Sequence, residues 1–236
     1  MKVLILGDGL LGSEVKSQTN WDLISRNNSQ FDICNIDTFH KLTQVEFGIV
    51  QYCPYDIIVN CIACTDTYST DKKPHWDTNI QGTKNLLDFC NKWNIKLVHI
   101  STDYLYTFSK SNATENDVPV HCATWYGYTK LISDALVQID SEKHLIIRTT
   151  HKPKPFPYES AFTNQKGNFD YVDIISQKII NLVNKKAQGI YNVGTPTKTM
   201  YDLALKTNNN VKTTKTFNKN TPTNTTMNIN KMKNFL

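Results

Sequence analysis

Tyr126-Gly127-Tyr128-Thr129-Lys130 sets a phenol and an ammonium four residues apart in a stretch whose pattern predicts a helix. That spacing puts Tyr126 and Lys130 on one helical face. A free tyrosine titrates near about 10, too high for easy proton exchange at neutral pH. A neighbouring positive charge lowers it, which would let Tyr126 act as general acid toward a carbonyl or as base toward an alcohol. Tyr128 has no lysine four residues on, so Tyr126 is the better candidate. Ser101-Thr102-Asp103 closes a strand-like run. Ligands of open parallel sheets bind beyond the carboxyl ends of strands, where a hydroxyl of Ser101 or Thr102 would meet a substrate carbonyl beside Tyr126. Taken singly, each segment has a plain alternative: a surface tyrosine with a solvated lysine, and hydroxyls that satisfy a turn.

A third segment gives these groups a partner. Gly7-Asp8-Gly9-Leu10-Leu11-Gly12 follows the apolar run 3–6 and opens a helix-like stretch. This is the strand, glycine turn and helix entry that cradle a dinucleotide pyrophosphate. Gly7 would make the tight turn and Gly9 would admit the phosphates. Gly12 would let the helix pack closely, with the N–H groups of Leu10 and Leu11 facing the anion. An acidic residue about 20 positions after the turn would favour NAD by binding the ribose 2′-hydroxyl. Arg26, preceded by Ser25, lies 19 positions after Gly7 instead. A guidanium group there neutralises a 2′-phosphate, so NADPH is expected in preference to NADH.

The elements that must hold these groups follow from the pattern. Strands are predicted at 3–6, 21–25, 30–34, 56–61, 96–100 and 144–148, and helices at 10–18, 38–51, 76–93 and 125–139. Strands alternating with helices specify an α/β fold, a Rossmann-type doubly wound parallel sheet with right-handed crossovers. Past residue 150 the texture changes: three prolines within 151–157, an amphipathic helix over 170–185, a strand over 189–194, and a Lys-, Asn- and Thr-rich stretch over 206–226 that reads as a mobile tail or a loosely packed cover. The division expected is a dinucleotide-binding domain over 1–151 and a reduced C-terminal substrate-binding region over 152–236, of which about 167–194 returns to the core sheet.

Composition narrows the class. All but two of the 26 basic residues are lysines, and the formal charge is +5. With Asn and Thr abundant, this reads as the bias of an AT-rich genome rather than a nucleic-acid surface, and no basic–aromatic stripe or nucleic-acid motif accompanies it. No apolar run is long enough to span a membrane, and Gly7, Asp8 and Gly9 interrupt the N-terminal apolar run too early for a signal peptide. A cytoplasmic protein is expected. Its six cysteines lie mostly in apolar stretches, as free thiols do. Cys61-Ile62-Ala63-Cys64 lacks a second Cys-x-x-Cys or a well-spaced Cys–His pair, so no metal site is expected.

The order of the glycine turn, Asn60-Cys61-Ile62-Ala63, Ser101-Thr102-Asp103-Tyr104 and Tyr126-x-x-x-Lys130 resembles that of extended short-chain dehydrogenase/reductases. The nearest subgroup is the dTDP-4-dehydrorhamnose reductase family. Its Ser-Thr-Asp-Tyr-Val-Phe resembles Ser101 to Tyr106, its Tyr-Gly-x-Thr-Lys matches Tyr126 to Lys130, and its Arg-Thr-Ser resembles Arg148-Thr149-Thr150. Its C-terminal Pro-x-Asn-Ser-x-Leu-Asn resembles Pro222 to Asn228. The resemblance implies NADPH-dependent reduction of the C4 ketone of a nucleotide-linked 4-keto-6-deoxy sugar, of the dTDP- or UDP-4-dehydrorhamnose type, in nucleotide-sugar biosynthesis. It implies Tyr126 as proton donor, Lys130 as its tuner and holder of the nicotinamide ribose, and Thr102 as orienter of the carbonyl. Cys61, Ile62 and Ala63 would wall the cofactor, and Asp32 and Ile33 would flank its adenine. Tyr104 stands where the family's 4,6-dehydratases carry Glu and its bifunctional epimerase-reductases carry Cys, which leaves reduction alone. Between 150 and 170 the chain has a proline-containing loop where family members carry a longer segment, and their tryptophan after Arg-Thr-Ser is replaced by His151 and Lys152. A short substrate lobe is compatible with completion by a second copy in a homodimer. It also suits an alternative function, a non-catalytic NADP-binding regulatory subunit of the same fold.

Overall fold

The computed structural model describes residues 1–46, 49–141, 143–218 and 220–236. Six strands form the central sheet: β1 (Val3–Leu6), β2 (Asp22–Ile24), β3 (Ile57–Asn60), β4 (Lys96–Thr102), β5 (His144–Thr149) and β6 (Gly189–Asn192). Their spatial order is β2-β1-β3-β4-β5-β6, and every pairing is parallel. The chain leaves β1 toward β2, then crosses back to place β3 on the other side of β1. That reversal opens a crevice beyond the carboxyl ends of β1 and β3, the place where such sheets bind ligands.

Two apolar layers hold the sheet, and the period of two along the strands assigns residues to them. Val3 and Ile5 of β1, Ile57 and Val59 of β3, Val98 of β4 and Leu145 and Ile147 of β5 face α1 (Leu10–Ser17) and α4 (Val172–Asn184), meeting Leu11, Val15, Ile175, Ile179 and Leu182. Leu4, Leu6, Ile58, Leu97 and Ile146 face the other way, onto Leu86, Leu87 and Cys90 of α2 (Gly82–Lys92) and Val137 of α3 (Trp125–Asp140). Both faces are covered, so the strands read as continuous apolar runs in sequence.

Two sequence expectations fail. Residues 30–34 form no strand: Phe31 and Ile33 are buried with the α2-side core, but from a loop that pairs with no neighbour. Their alternation mimics a strand because two side chains two apart point into the same core. The helix expected over 38–51 is a short 3₁₀ helix, Ile36–Leu42, followed by an antiparallel hairpin of Gln44–Glu46 and Ile49–Tyr52; residues 47 and 48 lie outside the described residues.

The C-terminal part has a small core of its own, in which Phe156, Phe169, Tyr171, Met200 and Leu203 meet. The polar stretch over 206–226, apart from residue 219, which lies outside the described residues, is not a loose tail. Lys212–Thr214 pairs with Ser160–Phe162, and Asn224–Thr225 pairs with Lys166–Gly167. Thr225 also donates its hydroxyl to the buried Asp103 at 2.6 Å, joining this part to the end of β4. Among the described residues no helix is long and apolar enough to cross a membrane.

Candidate active site

The glycine turn does what its residue types allow. Gly7 has φ +95° and donates its N–H to Ile24 O at 2.9 Å, so the chain turns sharply off β1 in a conformation that side chains resist. A Cβ on Gly12 would lie 1.9 Å from Gly7 O, so only glycine lets α1 start this close to the turn. A Cβ on Gly9 would meet nothing within 4 Å. That position faces open space in the crevice, with the N–H groups of the first turn of α1 beside it. A pyrophosphate approaching along the helix axis fits there.

Two cavities meet at this turn. The first, of about 450 Å³, is lined by Gly9, Leu10, Leu11, Cys61, Ile62 and Ala63 and, opposite them, by Thr102, Tyr126 and Lys130. The second, of about 380 Å³, shares Gly9, Cys61, Ile62 and Ala63 and continues to Gly7, Ser25, Arg26, Asp32 and Ile33. Together they make one groove across the switch point. Every residue given a catalytic or cofactor-binding role from the sequence lines it except Gly12, which sits behind the turn.

Three elements place the catalytic candidates. β4 ends at Thr102, whose Oγ1 accepts the Tyr104 N–H at 3.2 Å and starts a 3₁₀ turn. Thr124 caps α3 by accepting the Gly127 N–H at 3.1 Å, which fixes the helix start just before Tyr126. Lys130, one turn on, is 1% exposed, with its ammonium bonded to Ile100 O at 2.8 Å. Between α2 and its preceding turn Lys72–His75, residues Trp76–Gln81 are π-helical, a local widening found often at functional sites. Asn79 in that turn accepts from Cys64 N at 2.8 Å and donates to Cys64 O at 3.1 Å and to Thr129 Oγ1 at 3.0 Å. It ties the loop after β3 to the helix that carries Tyr126.

Burial dominates the electrostatics. It pushes the Tyr126 phenol up to about 12, with a Thr102 hydrogen bond pulling the other way and Asp103 adding to the rise. The lowering of Tyr126 by Lys130 expected from the sequence is not what this structure has. Burial instead pulls Lys130 down to about 8, against the pull of Asp134. Tyr126 is therefore a neutral phenol at neutral pH, the form that donates a proton. The Cys61 thiol is pushed up to about 12 by burial, so it is an inert wall. No cluster of metal-ligating side chains exists among the described residues.

Of the groove's lining, Asp8, Thr65, Thr67 and Tyr158 carry no sign in the sequence. Asp8, between the first two glycines, accepts from Ser25 Oγ at 2.9 Å and Asn27 Nδ2 at 2.8 Å at the far end. Arg26 is ion-paired with Asp32 at 2.9 Å and is largely exposed. At the near end Thr65, Thr67, Tyr104, Thr150, Lys152 and Tyr158 join the lining. The hydroxyls of Ser101 and Thr149 there, and His151 Nδ1, are buried without a hydrogen-bond partner.

Residues 1–151 match the family described as RmlD substrate binding domain. Over 132 residues the chain is 25% identical to the dTDP-4-dehydrorhamnose reductase of Aggregatibacter actinomycetemcomitans, a match covering 55% of this chain and 42% of that protein. Over 155 residues it is 28% identical to the spore coat polysaccharide biosynthesis protein SpsK of Bacillus subtilis (strain 168), covering 63% of this chain and 52% of that one. The chain thus spans about half the length of the curated relatives it matches. Among solved structures, the dTDP-4-dehydrorhamnose reductase of Bacillus anthracis str. Ames, in complex with NADP, superimposes with TM-score 0.80 at 23% identity over 99% of this chain and 91% of that one. The Clostridium acetobutylicum ATCC 824 enzyme of the same name gives TM-score 0.80 at 23% identity over 98% and 91%. At that identity the likeness establishes the fold.

Proposed function

The chain belongs to the RmlD substrate binding domain family, and from that premise we propose that it is an oxidoreductase that uses NADPH to reduce the C4 ketone of a nucleotide-linked 4-keto-6-deoxy sugar, of the dTDP- or UDP-4-dehydrorhamnose type. One observation carries the reading. Thr102, Tyr126 and Lys130 line the same cavity as the glycine turn, where a dinucleotide and a carbonyl would have to meet. A module that only held the dinucleotide would not need a protonated phenol at that spot.

In this reading 1–151 is the dinucleotide-binding domain and 152–236 the substrate-binding region, with about 167–194 returning to the core. Gly7, Gly9 and the N–H groups of Leu10 and Leu11 hold the pyrophosphate; Gly12 brings α1 close. Ser25 and Arg26 take the adenosine 2′-phosphate, Asp32 and Ile33 flank the adenine, and Cys61, Ile62 and Ala63 form the wall between. NADPH supplies the hydride when bound. The hydroxyl of Thr102 orients the ketone oxygen. As negative charge grows on that oxygen, Tyr126 gives up its proton, and the resulting alkoxide is basic enough to take it from a phenol held at about 12. The ammonium of Lys130 offsets the phenolate and holds the ribose. Fixing ketone and donor in register supplies much of the rate.

The test is to incubate the protein with NADPH and a panel of dTDP-, UDP- and GDP-linked 4-keto-6-deoxy sugars and follow loss of nicotinamide absorbance. Reduction of one member supports the reading. Tight NADPH binding without turnover of any member would replace it with the non-catalytic NADP-binding subunit.

A further inference from the structure

Behind Lys130, away from the cleft, runs a chain of buried polar groups that the reaction as proposed does not use. His99 on β4 and Asp134, one turn after Lys130 on α3, are each 1% exposed. Lys130 Nζ lies 3.2 Å from His99 Nε2 and 2.8 Å from Ile100 O. Asp134 Oδ1 stands 3.8 Å from the same ring nitrogen, and its other oxygen accepts from Arg148 Nε at 2.9 Å. Arg148, on β5, is held in turn by Tyr106 Oη at 2.9 Å and Glu115 O at 2.7 Å.

The distances choose the state of His99. A proton on Nε2 would point at an ammonium, with the carboxylate at 3.8 Å too far to accept it well. An imidazolium would bury a second positive charge 3.2 Å from the first. Only the neutral ring with its proton on Nδ1 offers Nε2 as an acceptor. Nδ1 has no partner in either tautomer, so the choice rests on Nε2. The burial and the adjacent Lys130 charge also hold the His99 pKa well below its ordinary range. A lysine ammonium has three N–H groups. His99 and Ile100 O take two, which leaves one directed to the cavity that Lys130 lines.

We infer that His99 is the positioning residue of Lys130: its neutral imidazole accepts one ammonium proton and leaves a single N–H to serve the dinucleotide ribose. Asp134, between Lys130 and Arg148, supplies the counter-charge. The inference rests on the reading of Lys130 as the lysine of a reductase, but its main test does not require turnover.

The titratable groups around Lys130 are His99 on β4, Asp134 and Tyr126 on α3 and Cys61 after β3, and Arg148 on β5 reaches Lys130 only through Asp134. With the histidines ¹⁵N-labelled, ring nitrogen shifts are followed on the protein from about pH 6 to about pH 9. His99 should hold its proton on Nδ1 throughout. Its Nε2 signal should move with the deprotonation of Lys130 near 8, and Lys130→Met should abolish that movement. A proton on Nε2, or a signal indifferent to Lys130→Met, overturns the inference. Two variants add a functional readout. His99→Gln keeps an acceptor and His99→Phe keeps a ring without one. The phenylalanine variant should bind NADPH about tenfold more weakly, the scale of a hydrogen bond to a charged group, and its rate should fall at lower pH than the parent's, because a lysine robbed of an acceptor loses its proton sooner. The glutamine variant should keep both properties near parental; equal behaviour of the two variants overturns the inference. If the phenylalanine variant fails to fold, the tautomer measurement on the parent decides alone.

Discussion

At one end of the groove Thr102, Tyr126 and Lys130 stand on the last residue of a central strand and the first turns of a buried helix, and Lys130 is 1% exposed. At the other, Ser25 caps and Arg26 opens a one-turn helix, Arg26–Ser29, just beyond β2, Asp32 stands on the loop after it, and the Arg26 side chain is 73% exposed. The near end is set by backbone register and packing, so its groups have one arrangement and pKa values moved by desolvation. The far end is set by side-chain pairing, of Arg26 with Asp32 at the surface and of Asp8 with Asn27 and the buried Ser25. Substitutions at the near end should therefore act through chemistry and stability with large effects. Those at the far end should act through salt-dependent binding with small ones.

The largest break is expected from Tyr126→Phe. Loss of a positioned proton donor should lower kcat by roughly 10²- to 10⁴-fold with little change in NADPH affinity. Steady-state rates and a fluorescence titration separate the two, and a parental kcat would remove Tyr126 from the reaction. Next is Arg148→Met, which takes from the buried Asp134 its ion-pair partner at 2.9 Å and leaves it only the Lys130 charge. Urea unfolding should show a loss of about 3–5 kcal/mol, the scale for breaking one side of a buried pair. A loss below about 1 kcal/mol would mean that the network behind Lys130 carries little.

The pH dependence sharpens the same contrast. Lys130 works as an ammonium and is pulled down to about 8, whereas Tyr126 is pushed up to about 12. The rate should fall as pH rises through about 8, well before the phenol ionises. Stability should move the opposite way. A lysine with a lowered folded value disfavours folding most below 8, where it is charged in both states, and that penalty is relieved as pH rises toward its unfolded value. A rate that falls above 8 without loss of folded protein, read by activity and circular dichroism on the same samples, identifies Lys130. A fall that tracks unfolding does not.

The near end was legible in the sequence because its motifs fix geometry over short range. A spacing of four sets Tyr126 and Lys130 on one face, and the glycines admit one kind of turn. The sheet was legible because strands buried on both faces are continuous apolar runs. Residues 30–34 were misread because Phe31 and Ile33 bury themselves in a strand-like period without a strand to pair with. The stretch over 206–226 hid its order because long-range pairings and hydroxyl bonds, such as Thr225 to Asp103, leave no periodic trace in a run of Lys, Asn and Thr. The partners of Arg26 and Asp8 were hidden for a similar reason: nothing in the spacing of loop residues says which charges will meet.

Those far-end partners set the smallest effects. Arg26→Ala should weaken NADPH about tenfold, the scale of a charge-assisted contact to phosphate, and change NADH little. Equal losses for both cofactors would mean that Arg26 does not touch the 2′-phosphate. Asp8→Asn should do the reverse. Its carboxylate lines the same cavity as Arg26, and its hydrogen bonds from Asn27 and Ser25 hold its pKa below the usual carboxylate value, so it is ionised at neutral pH. An ionised carboxylate accepts a 2′-hydroxyl but repels a 2′-phosphate. Removing the charge should tighten NADPH by roughly threefold, a size typical of exposed charge pairs, and leave NADH unchanged or slightly weaker. Because the carboxylate is open to solvent, the gain should shrink as salt rises from low to physiological strength, where the screening length falls to about 8 Å. Cofactor titrations at two salt concentrations measure both. If the two cofactors shift together, Asp8 acts on the turn that holds the pyrophosphate; if only NADPH shifts, it acts on the ribose, and the far end discriminates by a balance of Asp8 against Arg26.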